Sequence, residues 1–411
     1  MENVVLFKNS FLIDGKGGDP SLGAIVTVVG DTIREVTDRE SPINVPEARI
    51  IDLKGKTLMP GLIDAHAHPG NIEMNLERVL KHPPAVFVHK VTRILQEDLT
   101  LGFTTLRDAG GLDWGFRAAV DEDLIRGPRL KLSVAPLTQT GGHGDKRGKV
   151  QDVVLPRNTL GVYPAVCDGP EEVRKAARDM LRRGADQIKV MADGGVLSPT
   201  GGPGNWQFSI TELVSAVETA EAAGTYVMAH AYTSRAVQNC LQAGVRSIEH
   251  ATLIDDETVQ MLRAKETFLV PTLTVFEVLA RKGRGEGMDD VSLQKLKKVH
   301  DGAYHTLEIA YRAGVRIGSG SDLLGPFQNL KGREIARKAE IMGSMGAIVA
   351  ATRTNAELMG ISSSLGTIES GKKADLIIVD GNPLDDPSLF ERGHETVVLV
   401  MKGGKIMKDI L

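Results

Sequence analysis

Short apolar runs rich in β-branched residues recur eight times between residues 58 and 321, with helical segments between them. The runs lie at 58–66, 104–108, 130–135, 187–192, 226–231, 247–250, 267–271 and 316–321, and helical patterns include 170–183, 210–223 and 234–243. Strands that alternate with helices pair in parallel, because a long crossover returns the chain to the same end of the sheet. Eight such units over about 270 residues predict an α/β fold, a closed (β/α)8 TIM barrel. A doubly wound open sheet would carry a glycine-rich phosphate loop after its first strand. Here the first run ends in His66-Ala67-His68-Pro69-Gly70, and Gly318-Ser319-Gly320 is too short to serve as that loop.

The flanks read differently. Residues 4–7, 24–29 and 33–36 on one side, and 374–380, 397–401 and 405–407 on the other, are short strand patterns, with Gly403-Gly404 as a hairpin turn. Both ends therefore build one small β-sandwich domain, residues 1–58 and 362–411, beside a barrel of residues 59–361. Aromatic residues are only 4%, so the core must be aliphatic. Lys+Arg 49 against Asp+Glu 53 leaves a net charge of −4, which advertises neither nucleic acid nor an anionic membrane. No apolar run reaches the roughly 18 residues of a spanning helix. Cys167 and Cys240 are too few for a disulfide framework and predict reduced thiols. Met1-Glu2-Asn3 does not begin a basic secretory leader. These features predict a cytoplasmic protein acting on a small molecule, and a homo-oligomer is compatible with them.

In such a barrel the chemistry sits at the C-terminal ends of the strands. His66 and His68 are two apart at the end of the first strand, so they share one face, and Asp64 lies one step deeper, where it could orient a ligand. His230 ends the fifth strand, His250 the sixth, and Asp322 follows the eighth. Lys189 lies inside the fourth strand, where a charge without a partner is expensive. Ligand-type side chains at the same end of five strands converge on a metal site. Imidazole and carboxylate suit a divalent ion, with zinc favoured. These ligands exceed what one catalytic zinc takes, and an ammonium at Lys189 would be repelled by the cations. A carbamate formed there from CO₂ would instead be an anionic bridge, so N6-carboxylysine at Lys189 and two divalent ions are expected. His82, His89, His300, His305 and His394 lie away from strand ends and read as surface or packing residues.

The segment Met59-Pro60-Gly61-Leu62-Ile63-Asp64-Ala65-His66-Ala67-His68, with Lys189, His230, His250, Asp322 and the stretch 371–380, resembles the amidohydrolase superfamily over almost the whole chain. The resemblance implies His66 and His68 on one metal, His230 and His250 on the other, and carboxylated Lys189 between them. It gives Asp322 to the first metal and makes it the general base. Within the superfamily, residues 138–145, 190–195 and 230–233 resemble the prolidase-like and imidazolonepropionase-like branch. Its binuclear metallocarboxypeptidases cleave Xaa-Pro or other acylated amino acids. Imidazolonepropionases proper lack the bridging lysine and use one metal, so Lys189 argues against that activity.

The implied reaction is attack of a metal-bridging hydroxide on an amide next to a C-terminal amino acid. Asp322 would take the proton and pass it to the departing nitrogen. His143 is the candidate donor to the oxyanion and a substrate contact. Tyr232, two residues beyond His230, and Arg235 are candidates for binding the free carboxylate of a dipeptide or N-acyl amino acid. The alternatives on this scaffold are hydrolysis of an ochratoxin-like aromatic amino acid conjugate, hydrolysis of a cyclic amide or imidazolone, deamination, and a non-catalytic role.

Overall fold

The computed structural model describes residues 3–37, 48–147 and 163–411. The sequence places a long loop, residues 138–169, after the third barrel strand, and residues 148–162 of it lie outside the described residues. Eight parallel strands form the barrel: β1 (Leu62–Ala67), β2 (Phe103–Asp108), β3 (Arg129–Lys131), β4 (Ile188–Met191), β5 (Val227–Thr233), β6 (Ser247–Leu253), β7 (Phe268–Val270) and β8 (Arg316–Ile317). They run as two parallel groups, β1 to β3 and β4 to β8. Asp186 N donates to Leu132 O at 2.7 Å on one side, and on the other Ala65 N donates to Ser319 O at 2.9 Å and Asp322 N to His66 O at 2.8 Å. These bonds close the cylinder, and the TIM barrel expected from the strand count is present.

The helices Gly169–Arg182, Ile210–Ala222 and Ser234–Ala243 fall within a residue of the sequence pattern. The longest helix, Asp290–Arg312, buries Leu296, Val299 and Leu307 and lies against β6. The core is mainly aliphatic, yet Arg107, Lys189, Lys331 and Lys338 are fully buried within it. Burial of such charges is tolerated only with partners. Lys331 Nζ lies 2.7 Å from Asp98, and Lys338 pairs with Glu334.

The terminal sheet combines Val4–Leu12, Ser21–Val29, Thr32–Thr37, Arg49–Asp52 and Thr57–Pro60 with Leu376–Val379, Val397–Lys402 and Lys405–Asp409. One expectation needs correction here. The run 58–66 is not one strand. Thr57–Pro60 pairs with Val4–Leu12 and Leu376–Val379 in the terminal sheet, and β1 begins only at Leu62. The chain changes sheets at Gly61, where a Cβ would sit 2.2 Å from Thr104 Oγ1. Both strands are buried on both faces, so the sequence shows one unbroken apolar run. Among the described residues no helix is long and apolar enough to cross a membrane.

Candidate metal centre

The position of the first ligands is set by a buried carboxylate that touches none of their rings. Asp64 accepts from His66 N at 3.0 Å, from Ser321 N at 3.0 Å and from Ser321 Oγ at 2.6 Å. It thus ties the backbone of β1 to the residue before Asp322, across the closing seam. The imidazoles are oriented from behind. His66 Nδ1 is 2.7 Å from Glu249 Oε2, His68 Nδ1 donates to Gly110 O at 2.9 Å, and His250 Nδ1 is 2.7 Å from Thr272 Oγ1. Each bond occupies Nδ1 and leaves Nε2 for a ligand, the arrangement by which outer partners fix a metal-binding histidine. His66 Nε2 and His68 Nε2 lie 3.5 and 3.3 Å from Asp322 Oδ1. The ligand atoms of His66, His68 and Asp322 all fall within 4.8 Å of one another, so the three could hold one ion.

The remaining ligand candidates continue this cluster. The rings of His66 and His250 are 5.0 Å apart, and those of His250 and His230 are 4.8 Å apart. His230 Nε2 is buried with no hydrogen-bond partner among the described residues. Lys189 is buried in the same cavity wall. Burial, and next the Lys189 charge, hold His66 and His230 well below the usual imidazole range, while burial and neighbouring histidines do so for His250. Burial works against protonation of His68 too, but Asp322 beside it shifts the balance upward. Burial lowers the Lys189 amine to about 8 against the pull of Glu249 and Asp322. The His66, His230 and His250 imidazoles, held neutral, together with His68 around a carboxylate and with one orphaned buried nitrogen among them, are a donor set that fits a divalent metal.

A profile of the amidohydrolase family matches residues 57–407. The chain belongs to the amidohydrolase family. It is 33% identical over 420 residues to the ochratoxinase of Aspergillus niger, covering 98% of this chain and 87% of that protein. Its fold is similar to that of a prolidase solved with N-methylphosphonate-L-proline, with a TM-score of 0.95 and 39% identity over 99% of this chain and 100% of the other. A Xaa-Pro dipeptidase with methionine in its active site superposes with a TM-score of 0.89 and 32% identity, over 98% of this chain and 99% of that one. The protein is an enzyme acting on amide bonds.

In this amidohydrolase the cluster of ligand candidates opens into a cavity of about 660 Å³. His143 and Tyr232 line it beside the ligands. The His143 ring stacks on His230 at 4.5 Å, and Tyr232 packs edge-on to His230 at 4.7 Å. Burial raises the Tyr232 phenol well above its usual range, so it stays a hydroxyl donor. Gly195 makes room for His143, since a Cβ there would lie 2.2 Å from its ring. Arg235 is the correction. It is exposed on the helix Ser234–Ala243 and does not line the cavity. Once β5 gives way to helix at Ser234, side chains turn by about 100° per residue and the strand's alternation no longer applies.

Other residues of the site were not singled out in the sequence. Arg107 is fully buried, donates through Nε to Ala65 O at 2.6 Å, and its NH2 reaches both oxygens of Glu249 at 2.9 and 3.0 Å. Asp193 accepts from Gly194 N, Gly204 N, Thr233 N and Thr233 Oγ1, and so fastens the glycine loop to the end of β5. Arg107 lies on β2, which carries no ligand candidate, and Asp193 follows β4. The signal in the sequence is a charged residue in a run that must be buried, as at Lys189.

Proposed function

We propose that the protein is a binuclear metal-dependent hydrolase that cleaves the amide bond preceding a C-terminal amino acid, in Xaa-Pro dipeptides or N-acyl amino acids. The observation that carries this reading is the convergence of His66, His68, Lys189, His230, His250 and Asp322 on one cavity. His66, His68 and Asp322 would hold one zinc ion. His230 and His250 would hold the other, with Lys189 between the two as N6-carboxylysine. The lowered basicity of Lys189 supports this, because only a neutral amine captures CO₂. When bound, such a metal pair supplies a water acidic enough to deprotonate near neutral pH and a Lewis acid for the carbonyl.

The chain's own residues do the rest. Asp322, held by His66 and His68, takes a proton at its carboxylate and returns it to the leaving nitrogen. Ser198 Oγ accepts from Gly195 N at 2.7 Å and lies 2.8 Å from His143 Nδ1, and we assign the serine hydroxyl as the donor to that nitrogen. In that tautomer His143 Nε2 carries the proton, ready to stabilise a developing oxyanion. Tyr232 adds a hydroxyl toward the substrate.

The test is a panel of L-Xaa-L-Pro dipeptides and N-acyl amino acids set against cyclic imides and aminopurines, with zinc-loaded enzyme. Turnover confined to the second group would refute the reading. Lys189→Ala should lose metal and activity together, and full retention of both would remove the bridge. A second substrate type, an aromatic amino acid conjugate of the ochratoxin kind, is favoured by the apolar wall of Val275, Phe276, Leu279 and Met288. N-benzoyl-L-phenylalanine belongs in the same panel.

A further inference from the structure

A substrate ending in a free carboxylate needs a cation, and Arg235 does not supply one. Among the described residues Lys146 is the one lysine or arginine besides Lys189 that lines the cavity. Its ammonium donates to His143 O at 2.9 Å and to Leu197 O at 3.2 Å, two neutral carbonyls on the two loops that frame the site. An ammonium has three N–H donors. The third finds no partner among the described residues. The neighbouring acid compensates the charge only in part. Asp145 is held in a two-pronged pair by Arg147, Nε to Oδ1 at 2.8 Å and NH2 to Oδ2 at 2.7 Å, and it also accepts from Gly141 N. Lys146 is thus a fixed cation, paired directly with no carboxylate among the described residues, with a donor to spare in the wall of a substrate cavity.

We propose that Lys146 binds the terminal carboxylate of the substrate and so restricts the enzyme to acylated amino acids with a free C-terminus. This inference rests on the hydrolase reading above and names its missing anchor. The anchoring makes geometric sense. Lys146 is bonded to the backbone of His143, whose ring stacks on the ligand His230. A scissile carbonyl at that ring and the carboxylate of the next residue are roughly 3.5 Å apart along an extended chain. Burial draws the Lys146 ammonium down to about 8 despite the pull of Asp145, so a bound anion would add to a charge that Asp145 only partly balances. Tyr232 remains as a second, neutral donor.

The test is calorimetric binding of N-methylphosphonate-L-proline, an analogue without a scissile amide carbonyl, and of its carboxamide to zinc-loaded wild type, K146Q and K146R. A charge-assisted hydrogen bond is worth a factor of about 10 to 100 in affinity. The acid should lose that factor in K146Q and keep its affinity within a few-fold in K146R. The carboxamide should bind weakly and show no response to K146Q. Metal content and melting temperature of each variant establish that the site is intact. Unchanged binding of the acid to K146Q would place the carboxylate on the metals instead and overturn the proposal. Equal weakening of acid and carboxamide would make Lys146 a loop brace and overturn it too, as would absence of acid binding to the wild type. Failure of the hydrolase reading shows separately, as absence of wild-type turnover on the peptide panel.

Discussion

Alternation along a strand puts neighbouring side chains on opposite faces, yet Glu249 and His250 both serve the centre. Glu249 reaches His66 Nδ1, and His250 lines the cavity. The backbone explains this. His250 and Ala251 have φ of 72° and 50°, left-handed values that break the alternation at the end of β6. Asp322 is also left-handed, at 53°. Such residues cost roughly 1–2 kcal/mol each and persist where surrounding structure holds them. Glu249→Gln tests the device. It removes the negative charge that balances buried Arg107 and fixes the His66 ring. The expected outcome is a loss of about 3 kcal/mol in stability by chemical denaturation and a 10- to 100-fold weaker metal affinity by chelator competition. Wild-type values for both would show that Arg107 and Glu249 are passive filling.

At the scale of elements, legibility followed backbone regularity. His66, His68, His230 and Tyr232 were readable because they sit on or just past regular strands, where period two holds. Glu249 was hidden by a left-handed residue, Arg235 was misplaced by a strand that had already become a helix, and the sheet change at Gly61 left no mark in an apolar run. The stretch 193–208 after β4, with Gly194, Gly195, Gly201, Gly202 and Gly204, reads in the sequence as a long loop but not as a support. Its role turns on contact distance, which composition does not encode. Gly195→Ala would press a methyl group into the His143 ring, which is also held by Ser198 and by stacking on His230. Losing one oxyanion donor costs about 10²–10³ in kcat. That fall is expected on a hydrolysed dipeptide, with metal content unchanged. Ser198→Ala, which leaves the space open, should cost less. A Gly195→Ala enzyme with wild-type kcat would remove His143 from the reaction.

For the whole molecule, the proposed ligands come from β1, β4, β5, β6 and the end of β8, so a metal bound by them would span the seam where the barrel closes. An ion that binds only the folded chain adds RT ln(1 + [M]/Kd), about 4 kcal/mol at a thousand times Kd. Chelation should therefore lower the melting temperature in scanning calorimetry, and zinc should restore it. The two thiols give a second view of the same coupling. Burial pushes Cys167 up to about 12 and Cys240 higher still, and both are free and enclosed. The thiolate is the reactive form, so native labelling at pH 8 must wait for local opening. Cys240 lies in the helix Ser234–Ala243, directly after β5, which carries His230. If His230 holds a metal as proposed, removing the ion would release His230 and with it the strand that this helix covers. Labelling of Cys240 by a disulfide reagent should be slow in the zinc-loaded enzyme and faster after chelation, read by peptide mass spectrometry. Equal rates in both states, with metal loss verified, would mean that the barrel wall holds its shape without the ions.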